Sequence, residues 1–96
     1  MQAIYVNINH ITIITMLREL VRVKEVGLVY RIMIVEDDRQ TNDAVSEYLK
    51  SFGHRMLSAY DGDEALQLFE RSKIDLLILD IMIPKKTGLA VLHAIR

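Results

Sequence analysis

Two short apolar runs, each closed by acid, most constrain what this chain can fold into. Ile32-Met33-Ile34-Val35 ends in Glu36-Asp37, and Leu76-Leu77-Ile78-Leu79 ends in Asp80. Four apolar residues in succession suit a strand covered on both faces, which is the habit of a parallel sheet, better than a strand with one wet face. In an open parallel sheet the crevice beyond the C-terminal strand ends is where ligands bind. Two strands that deliver three carboxylates to that crevice would form a site for a hard cation.

The surrounding pattern supports strands alternating with helices. Tyr30 to Val35 reads as a strand. Thr41 to Phe52 reads as a helix with Ala44, Val45, Tyr48, Leu49 and Phe52 on its inner face, stopped by Gly53. Arg55 to Tyr60 is a short strand, Asp61-Gly62 a turn, and Asp63 to Arg71 a second helix with Ala65, Leu66 and Phe69 inward. Ile74 to Leu79 is the third strand, Pro84 to Gly88 a loop, and a third helix begins near Leu89. Such alternation predicts right-handed crossovers and a parallel sheet. Three such units would leave the Ile74–Leu79 strand with an open apolar edge, an aggregation hazard. The C-terminal part of a domain is therefore expected to lie beyond this sequence.

The chain divides near Val29. Residues 29–96 carry the regular pattern, and residues 1–28 form an N-terminal extension with loose alternation at Val6, Ile8, Ile11 and Ile13. A short helical pattern follows at Met16, Leu17, Leu20 and Val21. The extension is expected to make few contacts with the sheet and to lie outside the natural protein. Lys24-Glu25-Val26 can be encoded AAG-GAG-GTN, a ribosome-binding sequence, and Val29 by the initiator GTG. The competing expectation is a genuine strand and helix.

Composition narrows the function. With 96 residues there is room for one small domain, and 51% hydrophobic residues are ample for its core. Lys and Arg number 12 against 13 Asp and Glu, so no basic field points to nucleic acid. No cysteine is present, which removes disulfides and thiolate metal sites and fits a reducing, cytoplasmic setting. The longest uncharged stretch, Met1 to Leu17, is broken by polar residues and falls short of the roughly 20 apolar residues a bilayer demands, so no membrane span is expected. His10, His54 and His93 are scattered without ligand spacing, and Met16, Met33, Met56 and Met82 read as core filler. Glu-Asp-Asp after the first strand would repel a dinucleotide pyrophosphate, so a Rossmann-type cofactor site is not expected.

The chemistry available to the three acids is specific. Mg²⁺ takes oxygen ligands at about 2.0–2.1 Å and keeps several waters. Without a cation, crowded carboxylates raise one another's pKa. With one, a carboxylate can attack phosphorus and become an acyl phosphate. The plainer reading is that Asp37 or Asp38 caps the following helix and that Asp80 opens a turn.

Taken together, Arg31-Ile-Met-Ile-Val-Glu-Asp-Asp38, Ala59-Tyr-Asp-Gly-Asp-Glu-Ala-Leu66 and Asp75-Leu-Leu-Ile-Leu-Asp-Ile-Met-Ile-Pro84, with Gly88, resemble the receiver domain of bacterial two-component response regulators. The resemblance covers Val29 to Arg96, the first three of the family's five βα units. It implies a flavodoxin-like, doubly wound parallel α/β sheet of order 2-1-3-4-5, incomplete here, with the site at the switch point. It also implies Asp80 as phosphoacceptor, and Glu36, Asp37, Asp80 and the Met82 backbone carbonyl as Mg²⁺ ligands. Pro84 and Gly88 would shape the loop beyond the acceptor. The implied partners are a sensor histidine kinase and a second receiver as dimer partner, with DNA reached only through a C-terminal output domain. The family's switch hydroxyl follows its fourth strand and its lysine follows its fifth. Neither has a counterpart here, so the chain is expected to bind Mg²⁺ weakly and not to switch.

Two other classes compete. A haloacid-dehalogenase-like phosphotransferase also uses a strand-end Asp but wants a second Asp two residues on, where this chain has Met82. A receiver-like interaction module would keep the fold without phosphorylation.

Overall fold

A computed structural model describes residues 3–7, 27, 29–80 and 88–95; for 3–7, 80, 88, 89, 92 and 95 the description is of the backbone. Its elements are β1 (Ala3–Asn7), β2 (Arg31–Val35), α1 (Arg39–Ser51), β3 (Arg55–Ala59), α2 (Gly62–Arg71), β4 (Leu76–Asp80) and α3 (Gly88–Ile95). The strands form one parallel sheet of order β1-β4-β2-β3. The three expected βα units are β2α1, β3α2 and β4α3.

The apolar runs are continuous because each face of the sheet is covered. Side chains alternate across a strand. Met33, Val35, Leu77 and Leu79 therefore pack on one face with Ala65 of α2 and Val91 of α3, joined by Leu66 and Phe69. Ile32, Ile34, Leu76 and Ile78 pack on the other face against Leu49 and Val45 of α1. All eight strand residues are buried.

Each helix end has a local cause. Asp38 caps α1, its carboxylate accepting from the Gln40 N–H (3.2 Å) and the Thr41 hydroxyl (2.6 Å). Asp61 caps α2 by accepting the Glu64 N–H (2.8 Å), and Glu64 reaches back to the Tyr60 N–H (3.2 Å), close to a capping box. At the end of α1 the His54 N–H bonds Leu49 O and the Gly53 N–H bonds Lys50 O. That pair is a Schellman closure. It places Gly53 at φ +91°, where a Cβ would be strained although nothing crowds it.

The inner face of α1 differs from expectation. Ala44 is exposed and Tyr48 is 46% exposed, edge-on to Phe52 with ring centroids 5.1 Å apart. The stripe turned inward is instead Asn42, Val45, Ser46 and Leu49, at i, i+3, i+4 and i+7, with Asn42 and Leu49 buried and the other two half-buried. Apolar count alone rotated the expected face, because the residue that starts the true stripe is polar.

The N-terminal strand is a second correction. β1 pairs with β4 along its whole length, from Ala3 opposite Leu76 to Asn7 opposite Asp80. The expectation that residues 1–28 make few contacts with the sheet therefore fails for Ala3–Asn7, and the edge of β4 is covered. An unpaired edge beside four buried apolar residues is costly, and Ile4, Tyr5 and Val6 are residue types that favour strands. The helical pattern expected at 16–21 lies outside the described residues.

The opposite, N-terminal ends of β2 and β4 are locked by Arg31 and Asp75. The Asp75 carboxylate accepts the Arg31 N–H (2.9 Å) and its Nε (3.2 Å), while the Asp75 N–H donates to Arg31 O (2.8 Å). These bonds to the Arg31 backbone and side chain hold the Asp75 carboxyl below its ordinary range. Nearby, buried His54 accepts the Tyr30 N–H at Nδ1 (3.1 Å) and stacks on the Tyr30 ring.

Two outcomes are expected. Removing residues 1–28 should expose the β4 edge and produce self-association, seen as a mass above monomer by light scattering; a cleanly monomeric, cooperatively melting remainder would contradict the sealing role of β1. Asp75→Asn should destabilise the chain at neutral pH. A carboxyl whose folded pKa is depressed stabilises above its unfolded value, about 3.9, and that contribution is lost as pH falls through the folded value. The stability gap between variant and wild type should therefore close on acidification below about pH 4 in chemical unfolding.

Candidate functional site: an acidic strand-end crevice

The chain reverses its winding direction at β2. From β2 it runs through α1, on one face, to β3 on one flank. From β3 it runs through α2, on the other face, to β4 on the opposite flank of β2. The crevice beyond the C-terminal ends of β2 and β4 is therefore the switch point, where such sheets bind ligands. Val35 lies opposite Leu79 in the ladder. Glu36 follows directly on β2 and Asp80 is the last residue of β4, on strands spaced about 4.8 Å apart.

The acids there divide by partner. Asp38 belongs to the helix: its carboxylate is used up as the α1 cap. Glu36 is half-buried, and its Oε2 accepts the Asp38 N–H at 3.3 Å. Asp37 is exposed, and among the described residues its carboxylate has no hydrogen-bond or ion-pair partner. An exposed, uncommitted carboxylate beside a half-buried one, both leaving a strand at the switch point, is an oxygen donor set of the kind Mg²⁺ takes. The residues present thus fit the cation. The backbone of Asp80 closes β4 as expected; its side chain, Met82 and Pro84 lie outside the described residues. Among the described residues no three acidic or imidazole groups converge on one point.

The turn holding Glu36 and Asp37 is tied to β3 through its backbone. The Glu36 N–H donates to Ala59 O at 3.1 Å. The Asn42 carboxamide donates to Glu36 O (3.1 Å) and Ala59 O (3.0 Å), and Asn42 is fully buried. Its Oδ1 accepts the Ser46 hydroxyl (3.4 Å), and Ser46 lies 3.0 Å from the Ser58 hydroxyl of β3. At the rim the Tyr60 hydroxyl donates to Asp43 (3.0 Å) while the Arg39 guanidinium stacks over its ring at 4.1 Å. The bond to Asp43 raises the Tyr60 pKa above its ordinary value, with burial adding to it.

Sequence reading missed this network. Asn42 and Ser46 share one face one turn apart, the single trace the sequence offers. A cavity of about 270 Å³ lined by Arg31, Arg55, Met56, Leu57, Ser72 and Lys73 sits at the other end of the strands, away from the acids.

The response regulator receiver domain family model matches residues 32–96. The transcriptional regulatory protein CpxR of Escherichia coli (strain K12) is 44% identical over 66 residues, 69% of this chain and 28% of that protein. The regulatory protein VanR of Enterococcus faecium is 41% identical over 66 residues, 69% of this chain and 29% of that protein. Among solved structures, the response regulator TrrA of Thermotoga maritima, in complex with Mg²⁺-BeF, superposes with a TM-score of 0.67 at 37% identity, covering 70% of this chain and 58% of that one.

The fold and the family match define a receiver domain: the chain belongs to the response regulator receiver family. It spans under a third of the length of the curated relatives it matches. The flavodoxin-like parallel fold expected from sequence is borne out, and the family match supersedes the haloacid-dehalogenase-like alternative. Among the described residues no helix is long and apolar enough to cross a membrane.

The split between capping and uncommitted acids has a measurable consequence. Asp38→Ala should cost about 1 kcal/mol in urea unfolding, the usual loss for a helix cap. Asp37→Asn should stay within about 0.5 kcal/mol of wild type without added metal, as for a surface change away from structural contacts.

Proposed function

We propose that this receiver module works in phosphorelay signalling, accepting a phosphoryl group on Asp80 with Mg²⁺ held by Glu36, Asp37, Asp80 and the Met82 backbone carbonyl. The observation that carries the reading is the placement of Glu36-Asp37 and Asp80 at the ends of adjacent strands at the switch point. When bound, the cation neutralises charge on the transferring phosphoryl group, on which phosphoryl transfer mostly depends. The Asp80 carboxylate oxygen attacks phosphorus, the bond from phosphorus to the donor breaks, and the donor departs with the bonding pair. The chain is left as an acyl phosphate, which water can later cleave. The chain is thus a phosphoacceptor signalling domain that contributes to its own phosphorylation and dephosphorylation, rather than an enzyme acting on a separate product.

The donor partner in this reading is a sensor histidine kinase in the cytoplasm, with a second receiver as dimer partner. The relatives CpxR and VanR are regulatory proteins more than three times as long as the matched segment. This supports a place at the start of a transcriptional regulator, with DNA contacted by an output domain. An interaction module without phosphorylation is the competing reading, and no described feature favours it.

The test is phosphorylation of wild type and Asp80→Asn by acetyl phosphate, followed by intact mass. It is run on this chain and on a version carrying the family's two remaining βα units. Incorporation should need Mg²⁺ and should vanish in Asp80→Asn. Equal incorporation by the variant would sink the assignment.

A further inference from the structure

We infer that Asn42 is a positioning residue for the acidic pair, holding the Glu36–Asp37 turn in the spacing a divalent cation needs. The inference rests on the Mg²⁺-dependent phosphoacceptor reading above and adds a residue to it.

Three pieces of chain meet at this side chain: the end of β2, the end of β3 and the first turn of α1. The carboxamide is 0% exposed and spends both its N–H groups on backbone carbonyls, Glu36 O and Ala59 O. Ala59 O also accepts the Glu36 N–H, so the Glu36 residue is held through both its amide and its carbonyl. The same helix stripe also holds Val45 and Leu49, which pack on the sheet at no polar cost, and Ser46, which bonds Asn42 and Ser58. A buried carboxamide is expensive unless every bond is made, and packing gives no reason for one here. Its two N–H bonds both end on the turn that carries the acids or on that turn's own anchor, and its Oδ1 accepts the Ser46 hydroxyl of the same helix.

The physical need is electrostatic. Glu36 and Asp37 are adjacent in sequence, and two like charges push their turn apart. A turn free to relax would have to be drawn back when the cation binds, and that cost would appear as weaker affinity. A turn already fixed by Asn42 meets the cation in place, the general advantage of a supported ligand shell. Asn42 itself touches neither cation nor phosphoryl group; it acts through Glu36 O.

The experiment uses the 96-residue chain and Mg²⁺ alone as probe. Amide NMR shifts of Glu36, Asp37 and Asp38 are followed through a Mg²⁺ titration, and exchange protection of the Glu36 amide is measured without metal. Asn42→Leu should keep a cooperative melt, since an apolar residue suits the stripe. It should lose Glu36 protection and bind Mg²⁺ roughly 10–100-fold more weakly, the usual scale for removing support behind a metal ligand. Asn42→Thr, which keeps one hydroxyl donor, should recover part of the loss and replaces the Leu variant if that one does not fold. Leu49→Val, a change in the same stripe without a polar role, should leave Mg²⁺ affinity within about twofold despite lowering stability. Wild-type affinity and unchanged Glu36 protection in Asn42→Leu would overturn the inference while leaving the phosphoacceptor reading intact. A wild-type chain whose amides ignore Mg²⁺ would overturn both.

Discussion

The pairing of β2 with β4 is the contact on which everything else in this molecule depends. Two strands whose every interior residue is apolar cannot lie on a surface. They must be paired side by side and covered above and below. Side-chain alternation then divides them into two cores, one under α1 and one under α2 and α3. That division fixes which helix lies on which face, and hence where the winding reverses. The reversal in turn makes the C-terminal ends of β2 and β4, where Glu36, Asp37 and the Asp80 backbone lie, the switch point of the sheet. A one-residue slip between β2 and β4 would turn buried side chains toward the wrong helix, so register and site geometry are set by the same packing.

Acidic residues at the two ends of the sheet do unlike work. Asp38 and Asp61 satisfy helix N-termini. Asp75, at the far end, is matched to Arg31 in a two-way backbone and side-chain lock. Asp37, like Glu47, Asp63 and Glu70, is exposed without a hydrogen-bond or ion-pair partner among the described residues, and of these it is the one that directly follows β2. The distinction lies in geometry: a cap carboxylate is turned back toward the N–H groups of its own helix, as that of Asp38 is, and the Asp37 carboxylate makes no such bond.

The edge of β4 shows how the sheet handles surplus apolar surface. β1 occupies it in parallel register, from the N-terminal end of the chain, with Asn7 opposite Asp80. The strand that borders Asp80 thus comes from a segment ahead of the family model match, which begins at residue 32.

The alternation of strands and helices, the parallel sheet and the strand-end placement of Glu36, Asp37 and Asp80 were determined by the sequence itself. Each follows from a local signal: an unbroken apolar run such as Leu76–Leu79, a 3.6-residue period such as that of Ala65, Leu66 and Phe69, or an acid directly after a strand. The tertiary structure alone decided which acid caps a helix and which faces outward, because Asp37 and Asp38 are neighbours of like chemistry that differ only in backbone direction. It also decided that β1 borders β4, since a strand of Ile, Tyr and Val will accept any open edge and pairing is a long-range choice. And it decided that Asn42 is buried. Hydrophobic patterning scores a carboxamide as surface, and only the convergence of the Glu36 and Ala59 carbonyls on one point makes its burial favourable.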